Sequence, residues 1–286
     1  MRIKVSIPER IFRAFNYCIL ACLSFVCFYP LWHVAMASLT SSNALLGHSG
    51  LMFLPPKFSW ESYIAVLNHS QLWVAYKNTI IYVVEVTAVQ MVVTCMGAYF
   101  FARRALFRRP LMLMVMFTMY FGGGMVPFYL TLRDFGLLDT KLVMIIPFAI
   151  STYNMIILRT AFESLPASLL EAAEIDGASQ MGIMWRICIP LSKASLAVIC
   201  LYYAVGSWNS YFWADILIND RNQRLLQPVL RDLLVENMME GIDSGMSTNE
   251  GVKYACIMAA TIPILMVYPY LQKYFTKGVM IGAVKE

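Results

Sequence analysis

Apolar positions gather into six long stretches, at about residues 11–39, 74–102, 111–132, 142–162, 194–218 and 254–274. Each is long enough to cross a hydrocarbon core of about 30 Å as a helix. The pattern predicts an all-α fold, a single transmembrane domain over residues 1–286 built as an integral membrane bundle of six transmembrane helices. Polar groups inside the stretches are few, with Glu85 and Gln90 in the second. Helix breakers are frequent: Gly122, Gly123, Gly124 and Pro127 in the third stretch, Pro147 in the fourth, Pro263 and Pro269 in the sixth. Within a bilayer such breaks need neighbouring helices or water to satisfy the freed backbone groups. That suits a bundle enclosing a pathway, and each break taken alone also suits an ordinary kink.

Basic residues orient the bundle. With the N-terminus in the cytoplasm, fourteen of the 22 Lys and Arg residues fall on the inner side, including Arg2, Lys4, Arg10 and Arg13 before the first stretch. The short segment holding Arg103, Arg104, Arg108 and Arg109 is the clearest signal, because short loops set orientation. Both termini are then cytoplasmic. Four of the eight outer basic residues sit in the 219–253 loop beside five acids between Asp220 and Asp243. A second outer segment, 58–67, has the pattern of a short amphipathic helix lying on the outer face. Together these loops offer either a docking surface for an external protein or a solvated connection.

Composition agrees with the patterning. Hydrophobic residues make up 59% of the chain, charged residues 14%, and the mean hydropathy is +0.63; a soluble domain carries about a quarter charged residues. The net charge of +5 is spread between loops and bears on topology, not nucleic acid. Seven cysteines fall mostly inside apolar stretches without a Cys-x-x-Cys pair, so they read as free buried thiols. His33, His48 and His69 lack metal-ligand spacing. No Gly-x-x-x-x-Gly-Lys-Ser/Thr loop is present, which excludes ATP binding by that device. No paired carboxylates, Ser–His set or metal cluster in the spans supports an enzyme. A cleaved signal peptide fits poorly, because the first apolar run continues too far and lacks a small-residue cleavage site.

The inner segment 163–193 carries the chemistry. Ser164 precedes Pro166, a residue favoured in the first turn of a helix. A helix over 166–175 follows, with Leu169, Ala172 and Ala173 on one face. Asp176-Gly177 supplies a turn, and 178–187 forms a second helix ending before Pro190. Small residues at 172 and 173 allow close docking.

Glu171-Ala172-Ala173, Asp176-Gly177-Ala178 and Ile189-Pro190 resemble the "EAA" motif of ABC-importer permeases. The resemblance implies a MetI-like type I importer permease fold with a coupling helix seated in a cleft of a cytoplasmic ATPase, the contact made by Glu171, Ala172, Ala173, Asp176, Gly177 and Pro190. Glu171 above all would meet basic or donor groups there. The run from Phe117 through Gly122-Gly123-Gly124 to Pro127 is similar to carbohydrate permeases of the maltose-permease class, and more narrowly to the LplC/YtcP-like branch. So are Asn78-Thr79, Gly136-Leu-Leu-Asp139, the 153–159 segment, Pro190-Leu-Ser-Lys193, Trp208-Asn209, Leu226-Gln-Pro228 and the 277–285 tail. In the family that tail usually ends in Gly where this chain has Glu286.

The resemblance implies a multi-pass permease of the bacterial plasma membrane that moves an oligosaccharide by alternating access. Its implied partners are a second homologous permease in a heterodimer, an ATPase dimer carrying ATP and Mg, and an extracellular solute-binding protein. This chain itself would bind no cofactor and perform no catalysis. The branch implies complex or uronic-acid-containing sugars, leaving open which sugar, or a non-sugar solute such as a peptide. Intramembrane polar groups become pathway candidates: Asn78, Thr79, Glu85, Gln90, Asn154, Trp208, Asn209 and Tyr211. Asn and Thr also bond between membrane helices, and Trp and Tyr also populate the interfacial belt. An ion-coupled secondary transporter, with Glu85 as coupling acid, is the rival reading; it gives no reason for the 171–190 pattern.

Overall fold

The computed structural model describes residues 7–103, 107–244 and 250–283, and the regular elements among them are helices. Arg2, Lys4, Arg104 and Lys285 of the basic segments, and Glu286 of the tail, lie outside the described residues. In order come α1 (Ile7–Ser38), α2 (Ser42–Leu46), α3 (Glu61–Asn68), α4 (Ser70–Ala102), α5 (Arg108–Tyr120), α6 (Met125–Asp134) and α7 (Thr152–Glu163). There follow α8 (Ala167–Ile175), α9 (Gln180–Ile183), α10 (Ile189–Leu191), α11 (Lys193–Trp208), α12 (Phe212–Leu217), α13 (Leu226–Ser244) and α14 (Glu250–Ala283). The chain folds as two compact units, one drawn from the chain up to Ser70 with Leu230–Ile262, the other from Gln71–Val229 with the chain from Pro263.

The six apolar stretches become helical to unequal degrees. Among the described residues three single helices are long and apolar enough to cross a membrane: α1, α4 and the Glu250–Pro269 part of α14. The 111–132 stretch is not one helix. It is α5 and α6, bent by 109°, because Gly124 adopts φ +86 as the N-cap of α6 and the preceding glycines give no side-chain support. The 142–162 stretch starts as a 3-10 turn, Lys141–Met144, and becomes helical only at α7, whose 12 residues reach about 18 Å. Pro147, which cannot donate to a helical ladder, lies in the gap. In the 194–218 stretch α11 stops at Trp208, and α9–α10 joins α11 at 88°.

In the first unit most of α1 is exposed, with only Ala37 and Ser38 buried, as an apolar helix facing lipid can be. Its end is tied to the following loop. Met52 N–H donates to Tyr29 OH at 2.8 Å, the Trp32 indole donates to Phe53 O at 2.9 Å, and Ser41 N–H donates to Lys57 O at 3.0 Å. The helix expected near 58–67 is α3, which buries Ser62 and Val66 one turn apart. Gly251, at the start of α14, lies against Ser62 so closely that a Cβ there would collide with its hydroxyl.

In the second unit α4 is the central element. It holds 33 residues without proline, and its buried positions Leu72, Ala75, Thr79, Tyr82, Val86, Gln90, Thr94 and Ala98 recur every three or four residues. That is one continuous helical stripe. Gly97 lets α7 come close, since a Cβ there would lie 2.9 Å from Met155 Sδ. Tyr203 of α11 adds a polar link, accepting from Ser151 N–H at 3.0 Å and sharing a 2.6 Å hydrogen bond with Thr94. Small residues and hydroxyl bonds of this sort are what membrane helices use to associate. One core cluster joins Tyr99, Met155, Leu158 and Phe162 to Leu170, Ile183, Met184 and Cys188. The 163–193 segment is thus anchored in the body of the unit.

Candidate functional site

The segment begins where α7 ends at Glu163. Pro166 caps α8 with extended backbone (ψ 124), and α8 runs to Ile175. Asp176 closes it, and Gly177 at φ +78 reverses the chain; a residue with a Cβ would pay about 1–2 kcal/mol for that left-handed conformation. Ser179 then caps α9, its hydroxyl accepting from Gly182 N–H at 3.1 Å. The expected helix–turn–helix is present, with two corrections.

The second helix does not end before Pro190. It widens into a π turn at Met184–Cys188 and carries on through α10. A proline ring clashes with the carbonyl four residues back in a regular helix, and a π turn displaces that carbonyl. The face expected to group Leu169, Ala172 and Ala173 is also split in α8. Leu170 is buried and Ala173 packs beside it, whereas Leu169 and Ala172 are exposed. Leu169 is 42% and Ile175 86% accessible. Leu169 and Leu170 are adjacent, so apolar spacing alone could not choose between them. The outcome is an α8 held by one side and presenting Leu169, Ala172 and Ile175 outward, with exposed Glu171 and Asp176 among them.

Side chains that the sequence reading missed fix this segment. Arg103, just past α4, pairs with Glu174. Gln180 Nε2 donates to the same Glu174 oxygen at 2.9 Å, and Tyr99 OH donates to Gln180 Oε1 at 2.6 Å. The Arg103 guanidinium lies 5.9 Å from the centre of the Tyr99 ring. Gln180 first, and Arg103 after it, hold the Glu174 carboxyl below the usual carboxylate range. A depressed carboxyl keeps its partners above that pKa and loses them as pH falls through it. Nearby, Glu163 pairs with both Arg108 and Arg159. A cavity of about 640 Å³ opens between these charges, lined among others by Arg103, Arg108, Glu163, Glu171 and Glu174. Partners 55 and 71 positions apart leave no local spacing signal; the one available cue is the surplus of basic residues at 103–109 opposite acidic 163–174.

The intramembrane polar residues are not gathered into one site. Asn78 donates to Asn222 O at 2.8 Å and Arg224 O at 3.2 Å, and buried Thr79 accepts from Leu226 N–H at 2.8 Å. Both therefore hold the 222–226 backbone. Asn78 and Glu85 do share a cleft with Tyr82, Lys141 and Gln223. Gln90 donates to Phe148 O at 2.8 Å. Asn154 is buried in the first turn of α7, Trp208 lines a separate apolar groove, and Asn209 is the exposed end of α11. Tyr211 donates to Asp215, which pairs with Arg224 at 2.9 Å. Asp139 was also missed: its carboxylate accepts from the Asn219 and Asp220 N–H groups, joining the 136–141 turn to this loop. All seven cysteines are free thiols, with Cys18, Cys22 and Cys27 exposed instead of buried because α1 itself is exposed. Among the described residues no cluster could hold a metal ion.

Comparison with known proteins fits this architecture. Residues 90–281 match the binding-protein-dependent transport system inner membrane component family. The chain is 37% identical over 284 residues to the polygalacturonan/rhamnogalacturonan transport system permease protein YtcP of Bacillus subtilis (strain 168), covering 97% of this chain and 99% of that one. It is 38% identical over 282 residues to protein LplC of the same organism, covering 96% and 95%. Among solved structures it resembles a chain from a bacterial ABC transporter involved in the import of the acidic polysaccharide alginate. There the TM-score is 0.84 at 36% identity, covering 94% of this chain and 98% of the other. Such subunits transport and do not catalyse, which displaces the ion-coupled and enzymatic readings. The chain therefore belongs to the family of binding-protein-dependent transport system inner membrane components, the permease subunits of ABC importers.

Proposed function

We propose that this chain moves an acidic oligosaccharide across a bacterial plasma membrane as one half of a permease heterodimer, powered by an ATPase dimer on its cytoplasmic side. The observation that carries the coupling is α8: it is anchored through Leu170 and Glu174, yet turns Leu169, Ala172 and Ile175 to the outside. Spaced three residues apart, they line one face of the helix, and a contiguous exposed apolar face suits a protein interface. In this reading Glu171, Ala172, Ala173, Asp176, Gly177 and Pro190 make or shape the ATPase contact. Both termini are cytoplasmic, residues 1–286 act as one permease domain, and ATP and Mg belong to the ATPase. A solute-binding protein delivers the sugar from outside.

The sugar class is supported by the relatives' names, which speak of polygalacturonan, rhamnogalacturonan and alginate. The Asn78–Glu85 cleft, about 40 Å³ in volume, brings the Tyr82 ring and the Lys141 cation together, groups suited to a sugar face and a carboxylate, while the Asn78 N–H groups are taken by the Asn222 and Arg224 carbonyls. Thr79, Asn154, Trp208, Asn209 and Tyr211 support that cleft or the route beyond it. The assembled importer in vesicles should accumulate a labelled oligogalacturonide, and unlabelled oligogalacturonide should compete where a neutral oligosaccharide of the same length does not. Equal competition by the neutral sugar, or uptake of peptides alone, would contradict the acidic-sugar reading.

A further inference from the structure

The 163–193 segment and the 222–226 loop are both pinned to α4, at its two ends. At one end Tyr99 and Arg103, a turn apart, hold Gln180 and Glu174. At the other, Asn78 and Thr79 hold the backbone of Asn222, Arg224 and Leu226. Twenty residues separate Thr79 from Tyr99, about 30 Å of helix, which is the thickness of a bilayer core. No proline interrupts α4, and its buried stripe runs the whole distance. An unbroken helix fixed by directional bonds at both ends transmits displacement instead of absorbing it.

We propose that Arg103 and Glu174 are the positioning pair of a mechanical joint, through which movement of the 163–193 segment shifts α4 and, at its far end, the 222–226 loop and the adjoining cleft. The proposal rests on the reading of that segment as the ATPase contact, and goes beyond it by naming the helix and the bonds that carry the movement. The bonds suit the task. Glu174 receives Arg103 and Gln180 on one oxygen, and Gln180 is held in turn by Tyr99. The turn residue Gly177, the end of α8 and the start of α9 therefore follow α4 together. Charge-assisted bonds of this kind are stronger than neutral ones and directional. Exposure at Arg103 and Glu174 weakens their contribution to stability, so their loss should alter transmission more than folding.

The test uses the full importer in vesicles, with Cys18, Cys22 and Cys27 changed to serine and, as a reporter, Ile81→Cys at a position that lines the Asn78–Glu85 cleft. Its modification by a membrane-impermeant maleimide is timed before and after ATP–vanadate trapping. In the parent, trapping should change the modification rate. Glu174→Gln, which keeps the side-chain shape, and Arg103→Glu should each lose that change while the ATPase still co-purifies. Combining Arg103→Glu with Glu174→Arg should restore it. Single variants that respond like the parent, or a swapped pair that fails to recover, would overturn the joint. A parent that neither responds to ATP nor retains the ATPase would overturn the docking reading beneath it, and the joint with it.

Discussion

Ala172→Arg is expected to detach the ATPase from this chain while leaving the fold intact. Ala172 lies on the outward side of α8 between exposed Leu169 and Ile175, and no described core group depends on it. A guanidinium there adds a long charged side chain to the middle of a small apolar face. The few residues that dominate the centre of an interface cost about 2 kcal/mol or more when disrupted, roughly a thirtyfold loss of affinity. Co-purification with the ATPase should fall by at least that order, and transport should fall with it. The variant's unfolding midpoint should stay at the parent value, since the side chain points out of the unit. Ala173→Arg is the contrasting control: Ala173 packs beside the core, so that change should lower stability as well. Full ATPase retention by Ala172→Arg would remove α8 from the interface.

Thr79→Val should loosen the 222–226 loop. The Leu226 N–H opens α13 and has no carbonyl one turn back within the helix, so it belongs to the donors every helix leaves unpaired at its start. Thr79 Oγ1, on a helix 147 positions away, serves as its acceptor at 2.8 Å, and both groups are buried. Valine matches threonine in shape and removes the oxygen. Leaving one buried donor without a partner costs about 1–3 kcal/mol. Amide exchange at Leu226 should accelerate accordingly, with Thr79→Ser restoring protection. Unchanged protection in Thr79→Val would mean that another group caps α13. The same bond adds a structural role for Thr79, a pathway candidate on polarity that by contact also straps the 222–226 loop to α4.

What could be read in advance followed from local rules. The α8 turn is legible because Pro166, Asp176 and Gly177 each demand a particular backbone, and Gly177 does adopt the left-handed conformation. The course of α4 is legible because its apolar run is long and free of proline. Two other features depended on long-range packing. Leu170, not Leu169, turned inward because Ile183, Met184 and Phe162 offered it a core; neighbours in sequence with equal hydrophobicity carry no information on that choice. Tyr99, Arg103, Glu174 and Gln180 form one network only after α4 and the 163–193 segment meet. The Gly122–Gly124 run announced a breaker but not its size: a bend of 109° turns one apparent span into two helices, because three residues without side chains leave the direction of the chain to the surrounding packing.

ATP hydrolysis on a separate subunit drives solute through this chain. The importer should be assembled in proteoliposomes with its ATPase, and labelled oligogalacturonide uptake followed with ATP on the ATPase side, in the presence and absence of a proton ionophore. Uptake should require ATP, vanish with an ATPase that binds but cannot hydrolyse it, and ignore the ionophore. Uptake that persists with the inactive ATPase and collapses with the ionophore would contradict the account.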